Sequence, residues 1–175
     1  DDRHRQSTLI NNLSIIAAGQ GDYFSAHHYL QRGLDLAKTN GDLAAQGLVL
    51  VNLGKNYRLM GKTELATKSL KDGLQISESI GSRALIATAL LYLAETIRES
   101  DPKRAESLYR QVLNIAQRDN LQLIECEVLI GMAELLHKSN QCEARQYSLQ
   151  SMKLAEMLQN SKLSQRAMTV NQNLN

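Results

Sequence analysis

The stretch Gly41–Ser82 reads GDLAAQGLVLVNLGKNYRLMGKTELATKSLKDGLQISESIGS, and its pattern returns, more or less worn, before and after itself at intervals of about forty residues. A self-similar period in the range of about 20 to 50 residues is the signature of a solenoid, in which each unit must stack on its neighbours to bury its apolar face. The registers follow by subtraction. Ser14 to Gly54 and Gly54 to Ala94 are each 40 residues, and Ala94 to Ala133 is 39. A second series, Ala26, Ala66, Ala105 and Ala144, runs at 40, 39 and 39. Four registered copies imply one architecture for nearly the whole chain.

Working outward from that unit, each copy reads as a helical hairpin. Ahead of it, Leu9, Leu13, Ile16 and Ala17 recur at three- and four-residue steps, and Gly19–Gly21 ends the helix. Asp22 is placed as an N-cap, and the next helix closes at Asn40-Gly41, a left-handed stop. Within the central unit, Leu43–Met60 forms a helix, Gly61 turns it, and Thr63 starts a second helix with Leu65, Ala66, Leu70, Leu74 and Ile76 inward. The third copy runs from Arg83, turns at Ser100-Asp101-Pro102 and continues to Asp119. Pro102 falls in a first helical turn, where its missing amide costs nothing. The fourth covers Leu123–Ser139 and Glu143 to Gln159. The approximate repeats are 5–41, 42–81, 82–120 and 121–160, and 162–174 forms a capping or partial-repeat helix. They make a single array over 1–175.

Composition agrees with this all-α class. The 175 residues are 43% hydrophobic and 22% charged, with one Pro, one Phe and no Trp, so the core is aliphatic and suited to close helix packing. A formal charge of +2 without a basic cluster gives no expectation of direct nucleic-acid binding. The longest nearly apolar run, Leu85–Ala94, is far short of the roughly 20 residues that span a bilayer, so no membrane partner is expected. Two cysteines, Cys126 and Cys142, form no disulfide framework, which points to a reducing, cytoplasmic setting. They fall near the starts of antiparallel helices, too far apart to bridge. The opening Asp1-Asp2-Arg3-His4-Arg5 carries neither an initiator Met nor a signal sequence, so a fragment of a larger protein is expected.

Leu53, Gly54, Tyr57, Gly61, Ala66 and Leu70 fall at the spacing L-G-x-x-Y-x-x-x-G-x-x-x-x-A-x-x-x-L, which resembles the tetratricopeptide repeat. Gly21-Asp22-Tyr23 with Ala26 is similar to the family's inter-helix turn. Gly54 and Ala66, with Ala26, Ala94, Ala105, Ala133 and Ala144, stand where two helices cross too closely for a branched side chain. The units exceed the usual length of about 34 residues, and Glu78 stands where the family usually ends its second helix with proline. Repeats of this longer kind resemble those of bacterial regulators of the maltose-activator type, sensor regions on bacterial kinases and cyclases, and animal polarity scaffolds.

The resemblance implies a right-handed α-solenoid whose first helices line a concave groove. Its groove positions map to Asn11 and Ile15 in the first unit and to Leu48, Val51, Lys55 and Arg58 in the second. The third supplies Thr88, Leu91, Glu95 and Arg98, and the fourth Glu127, Ile130, Glu134 and His137. Such a groove holds a peptide by apolar contacts in its floor and charge pairs on its walls, with Lys55 and Arg58 meeting a carboxylate. The competing reading pairs Lys55, Arg58 and Arg98 with Glu95 and Glu134 across neighbouring helices, each pair worth under about 1 kcal/mol when exposed.

Other constellations carry less. His27 and His28 are adjacent on a helix and point about 100° apart, which is unsuited to a shared metal. Glu95 and Glu99 at i and i+4 imitate an acid pair without a nucleophile or oxyanion hole, and no phosphate loop, dinucleotide fingerprint or zinc-binding helix motif is present. The expectation is therefore a non-catalytic module for a protein or peptide segment, without a cofactor or metal, in a larger signalling or regulatory protein. Two alternatives are a small-effector sensor controlling an adjacent output domain and a self-association scaffold, as in a homodimer.

Overall fold

The computed structural model describes residues 2–174, with side chains from Leu9 onward; the expectations for Asp1 and for the charged side chains near it lie outside the described residues. Among the described residues there are nine α-helices and no strand: α1 (Asp2–Gly19), α2 (Tyr23–Thr39), α3 (Leu43–Leu59), α4 (Thr63–Ser79), α5 (Arg83–Ile97), α6 (Pro102–Arg118), α7 (Gln122–Leu136), α8 (Gln141–Met157) and α9 (Ser161–Asn173). The fold is an all-α solenoid of helical hairpins. It divides into two compact units, Asp1–Thr96 and Ile97–Asn175.

The helix ends follow from local chemistry. Asp22, Asp42 and Asp101 each accept a hydrogen bond from the backbone amide three residues on, those of Ser25, Ala45 and Arg104, and so satisfy an amide that lacks an intrahelical partner. Pro102 opens α6 directly after its Asp101 cap. The stops are equally regular. Gly41 and Gly61 have φ of +66° and +72°, and the amides of Asp42 and Lys62 reach back to the carbonyls of Ala37 and Tyr57. This Schellman closure favours glycine at the left-handed position. At the ends of α6 and α8 the same position is held by Asn120 (φ 55°) and Gln159 (φ 51°).

In the first unit, α1 packs on α2, α2 on α3, and α3 on α4. Leu30 and Leu34 of α2 form a buried cluster with Val49 and Leu53 of α3. At the crossing of α3 and α4, a Cβ added to Gly54 would sit 2.4 Å from Leu70 Cγ and 3.1 Å from the Ala66 carbonyl oxygen, so glycine is what permits the approach. Ala26, Ala66 and Ala94 have no exposed surface, as expected of crossing positions.

In the second unit, α6 packs on α7, α7 on α8, and α9 on both α7 and α8. Ala105, Ala133 and Ala144 are again fully buried. Tyr109 takes the position that Leu30 and Leu70 hold in the first two copies. Its extra volume is admitted by Gly131, whose added Cβ would lie 2.8 Å from Tyr109 Cζ. One large-for-small exchange is balanced by another, which keeps the crossing at packed density.

Candidate functional site

The proposed groove positions of the first unit are mostly occupied by the protein's own contacts. Asn11 is buried, and its Oδ1 accepts a hydrogen bond of 2.7 Å from Asn52 Nδ2. Val51 and Leu91 have no exposed surface at all. They are core residues and not a groove floor, a correction that applies equally to Ile130 in the second unit. Leu48 and Ile15 are exposed.

The basic pair is also engaged. Lys55 Nζ donates to Tyr92 Oη at 2.8 Å and lies 4.8 Å from the centre of the same ring. Arg58 Nη2 sits 2.8 Å from Glu95 Oε2. That contact is a charge pairing at oblique geometry, since neither Glu95 Oε2 nor the buried Arg58 Nε has a directed hydrogen-bond partner. The carboxylate is nearly enclosed, with 8% of its side chain exposed against 29% for Arg58. The pair therefore ties α3 to α5. Arg58 is thus paired with Glu95 as the competing reading has it, whereas Lys55 meets Tyr92 instead of a glutamate.

The second unit is different. Arg98, Glu134 and His137, all selected as groove residues, meet along a cleft of about 870 Å³ between the end of α7 and α9. Arg98 hydrogen-bonds to Glu134, and Arg166 of α9 approaches the other carboxylate oxygen at 3.6 Å. Glu99, which is almost wholly exposed, lies 3.6 Å from Arg98 Nε. Lys138 and Lys162 complete the wall, so four cationic side chains face two carboxylates. His137 caps α7, and its Nδ1 is buried without a hydrogen-bond partner. A smaller recess of about 140 Å³ beside the cleft shares Glu134 and His137. Thr88 and Glu127 are half-buried on α5 and α7 and do not line the cleft.

Lys138, Lys162 and Arg166 were missed in the sequence reading. The signal for Arg166 was available: Leu163, Ala167 and Val170 are buried at i, i+4 and i+7, which makes α9 a packed helix with Arg166 beside its buried stripe.

The remaining polar candidates behave structurally. His27 stacks obliquely on Tyr57 at 5.2 Å, and burial, helped by the positive charge of Lys62, holds its imidazole below the usual histidine range. His28 instead neighbours Tyr29. Among the described residues no three His, Cys, Asp or Glu side chains converge as metal ligands. Cys126 is buried and its thiol is pushed up to about 11 by desolvation, whereas Cys142 is exposed; both are free thiols. Glu95 and Glu99 each lie against an arginine, Arg58 and Arg98 respectively, and neither is poised as one half of an acid pair. No helix among the described residues is long and apolar enough to cross a membrane.

Helical hairpins with buried small residues at their crossings within each unit, and ionic side chains along the first helices, define a helical-repeat scaffold. The chain belongs to the tetratricopeptide repeat superfamily: tetratricopeptide repeat models match residues 7–40 and 43–118. Repeats of this family generally mediate protein–protein interaction and are generally non-catalytic. The structure is similar to that of BtubC (BKLC) from P. vanneervenii, with a TM-score of 0.76 and 20% identity over 99% of this chain and 78% of that one. It is also similar to PH0952 from Pyrococcus horikoshii, a Signal Transduction ATPase with Numerous Domains carrying a tetratricopeptide repeat sensor. There the TM-score is 0.73 and the identity 17%, over 98% of this chain and 27% of that one. The chain thus spans about a quarter of that larger protein, and at these identities the likenesses establish fold. No curated protein matches the sequence.

Proposed function

We propose that this chain is a non-catalytic protein-binding module, the interaction or sensory region of a larger regulatory protein, and that its recognition surface is the basic cleft of the second unit. The observation that carries this reading is the charge balance of that cleft, four cations against two carboxylates, in a concavity of about 870 Å³. Concave sites of this size bury a ligand substantially, and a surplus of positive side chains selects for negative charge. The ligand class is an acidic protein segment. Its carboxylates compete with Glu134 for Arg98 and Arg166 and meet Lys138 and Lys162 at the rim. The similarity to the Pyrococcus horikoshii signal-transduction ATPase with its tetratricopeptide repeat sensor supports a regulatory setting over an isolated scaffold.

The test is a fluorescence-anisotropy titration with a labelled Glu/Asp-rich dodecapeptide at two salt concentrations. The Lys138→Ala/Lys162→Ala variant is expected to bind about three- to tenfold more weakly, because exposed ionic contacts contribute under about 1 kcal/mol each. Affinity of the native chain should fall as salt rises. Unchanged affinity in the double variant, with helicity retained, refutes the assignment.

A further inference from the structure

The walls of the cleft between α7 and α9 set Arg98, Lys138, Lys162 and Arg166 against Glu99 and Glu134, a surplus of two positive charges. How those charges are already engaged says which anion suits them. One carboxylate serves two guanidiniums: Arg98 Nη1 donates to Glu134 Oε2, and Arg166 Nη2 lies 3.6 Å from Glu134 Oε1. The second distance is beyond hydrogen-bond range, so the donors of Arg166 are uncommitted. Glu134 and both arginines are half-buried. Lys138 and Lys162, on the same walls, have no ion-pair partner among the described residues.

Glu134 therefore sits on the arginines as a built-in ligand. Its own helix holds it there, so it competes without the entropic cost of association. An incoming carboxylate has the same charge and the same two oxygens, and replacing Glu134 with it is an exchange of like for like. Such a ligand gains only what the two lysines add. A phosphate monoester differs on both counts, with a charge of about −1.5 to −2 at pH 7 and three strong acceptor oxygens. Those oxygens suit two guanidinium forks and leave one for an ammonium group, and the charge matches the surplus. A phosphodiester, as in nucleic acid, carries a single charge and lacks that advantage.

On the reading of this cleft as the recognition surface for an acidic segment, we propose that Arg98 and Arg166, with Lys138 and Lys162 beside them, form a seat for a phosphorylated side chain of that segment, which displaces Glu134.

The probe is a labelled Glu/Asp-rich dodecapeptide with a central serine, phosphoserine or glutamate, titrated with the intact chain by fluorescence anisotropy. The phosphoserine peptide is expected to bind at least about tenfold tighter than the serine peptide and about fivefold tighter than the glutamate peptide. In Arg166→Gln the advantage over glutamate should shrink below about twofold with helicity retained, a change that a merely structural role does not produce. Glu134→Gln removes the internal competitor and should tighten the glutamate peptide at least about threefold; if that variant unfolds, Arg166→Gln carries the test alone. Equal, salt-sensitive binding of the phosphoserine and glutamate peptides overturns the phosphate seat and leaves the cleft an acidic-segment site. No saturable binding of any of the three removes both. An undiminished phosphoserine advantage in Arg166→Gln places the phosphate elsewhere, and a labelled oligothymidylate of the same length that binds as tightly as the phosphopeptide gives the cleft to nucleic acid.

Discussion

Substituting Gly54→Ala tests the packing logic on which the register of the whole chain depends. The new methyl group would lie 2.4 Å from Leu70 Cγ, 2.7 Å from Leu70 Cδ2 and 3.1 Å from the Ala66 carbonyl oxygen. Two opposing effects set the outcome. Alanine in a helix interior is favoured over glycine by about 0.5–1 kcal/mol through backbone entropy. Overpacking a well-filled core costs about 1–3 kcal/mol. The clash involves the branch carbon of a side chain with no exposed surface, so Leu70 cannot escape by swinging a free end, and the overpacking wins. The net expectation is a loss of roughly 0.5–2 kcal/mol, or a few degrees in Tm for a chain of this length, read by urea denaturation and thermal melts at 222 nm. Gly19→Ala is the control, because nothing lies within 4 Å of its added Cβ; it should be neutral or slightly stabilising. If Leu70 is the obstacle, Gly54→Ala combined with Leu70→Ala will be less destabilised than the two single changes summed, by about 1 kcal/mol or more. A stabilised Gly54→Ala, or strict additivity with Leu70→Ala, would refute the close crossing and the register built on it.

Three further outcomes are expected. Arg58→Ala strands the enclosed Glu95 carboxylate and should destabilise the chain by about 1–3 kcal/mol, whereas the apolar pair Arg58→Met/Glu95→Leu recovers most of that loss; equal melts for all three chains would show the pair to be inert. His27 is held neutral in the fold, so its contribution is present above about pH 6.5 and is lost as pH falls below the unfolded-state value. His27→Gln should therefore flatten the decline in Tm between pH 7 and 5.5, and an unaltered pH slope would contradict this. A chromogenic disulfide reagent at pH 8 should titrate one thiol per native chain, the exposed Cys142, and two after unfolding; two fast native thiols would place Cys126 at the surface.

The second helices of the hairpins were legible because each has one buried stripe. In α4 only Ala66, Leu70, Gly73 and Ser77 are buried, and in α6 only Ala105, Tyr109, Val112 and Ala116, so spacing alone identifies the inner side. The turns were legible too, through capping aspartates and glycines with positive φ. The first helices resisted such reading for a physical reason. In α3 the buried set is Gly47, Val49, Val51, Leu53, Gly54 and Asn56, which spans most of the circumference because two neighbouring helices cover it. On such a helix a step of three or four residues does not separate a groove floor from core, and this is why Val51, Leu91 and Ile130 were placed in a groove although they are enclosed.

The same enclosure explains where recognition can reside. A cation on a first helix flanked by helices on both sides finds a partner within the array, as Arg58 finds Glu95 and Lys55 finds Tyr92. Its charge is then spent on cohesion, and a ligand must displace an internal contact to reach it. At the end of α7 the neighbour is α9, which contributes Lys162 and Arg166 in place of a matching carboxylate. Two arginines consequently converge on one Glu134, and four cations gather around two carboxylates. Adding a carboxylate there, by Gln165→Glu on the cleft wall, should raise the stability of the second unit and weaken binding of an acidic peptide together. The two effects share one cause, relief of the surplus positive charge. Stabilisation without loss of peptide binding would separate the charge surplus from recognition and place the ligand elsewhere.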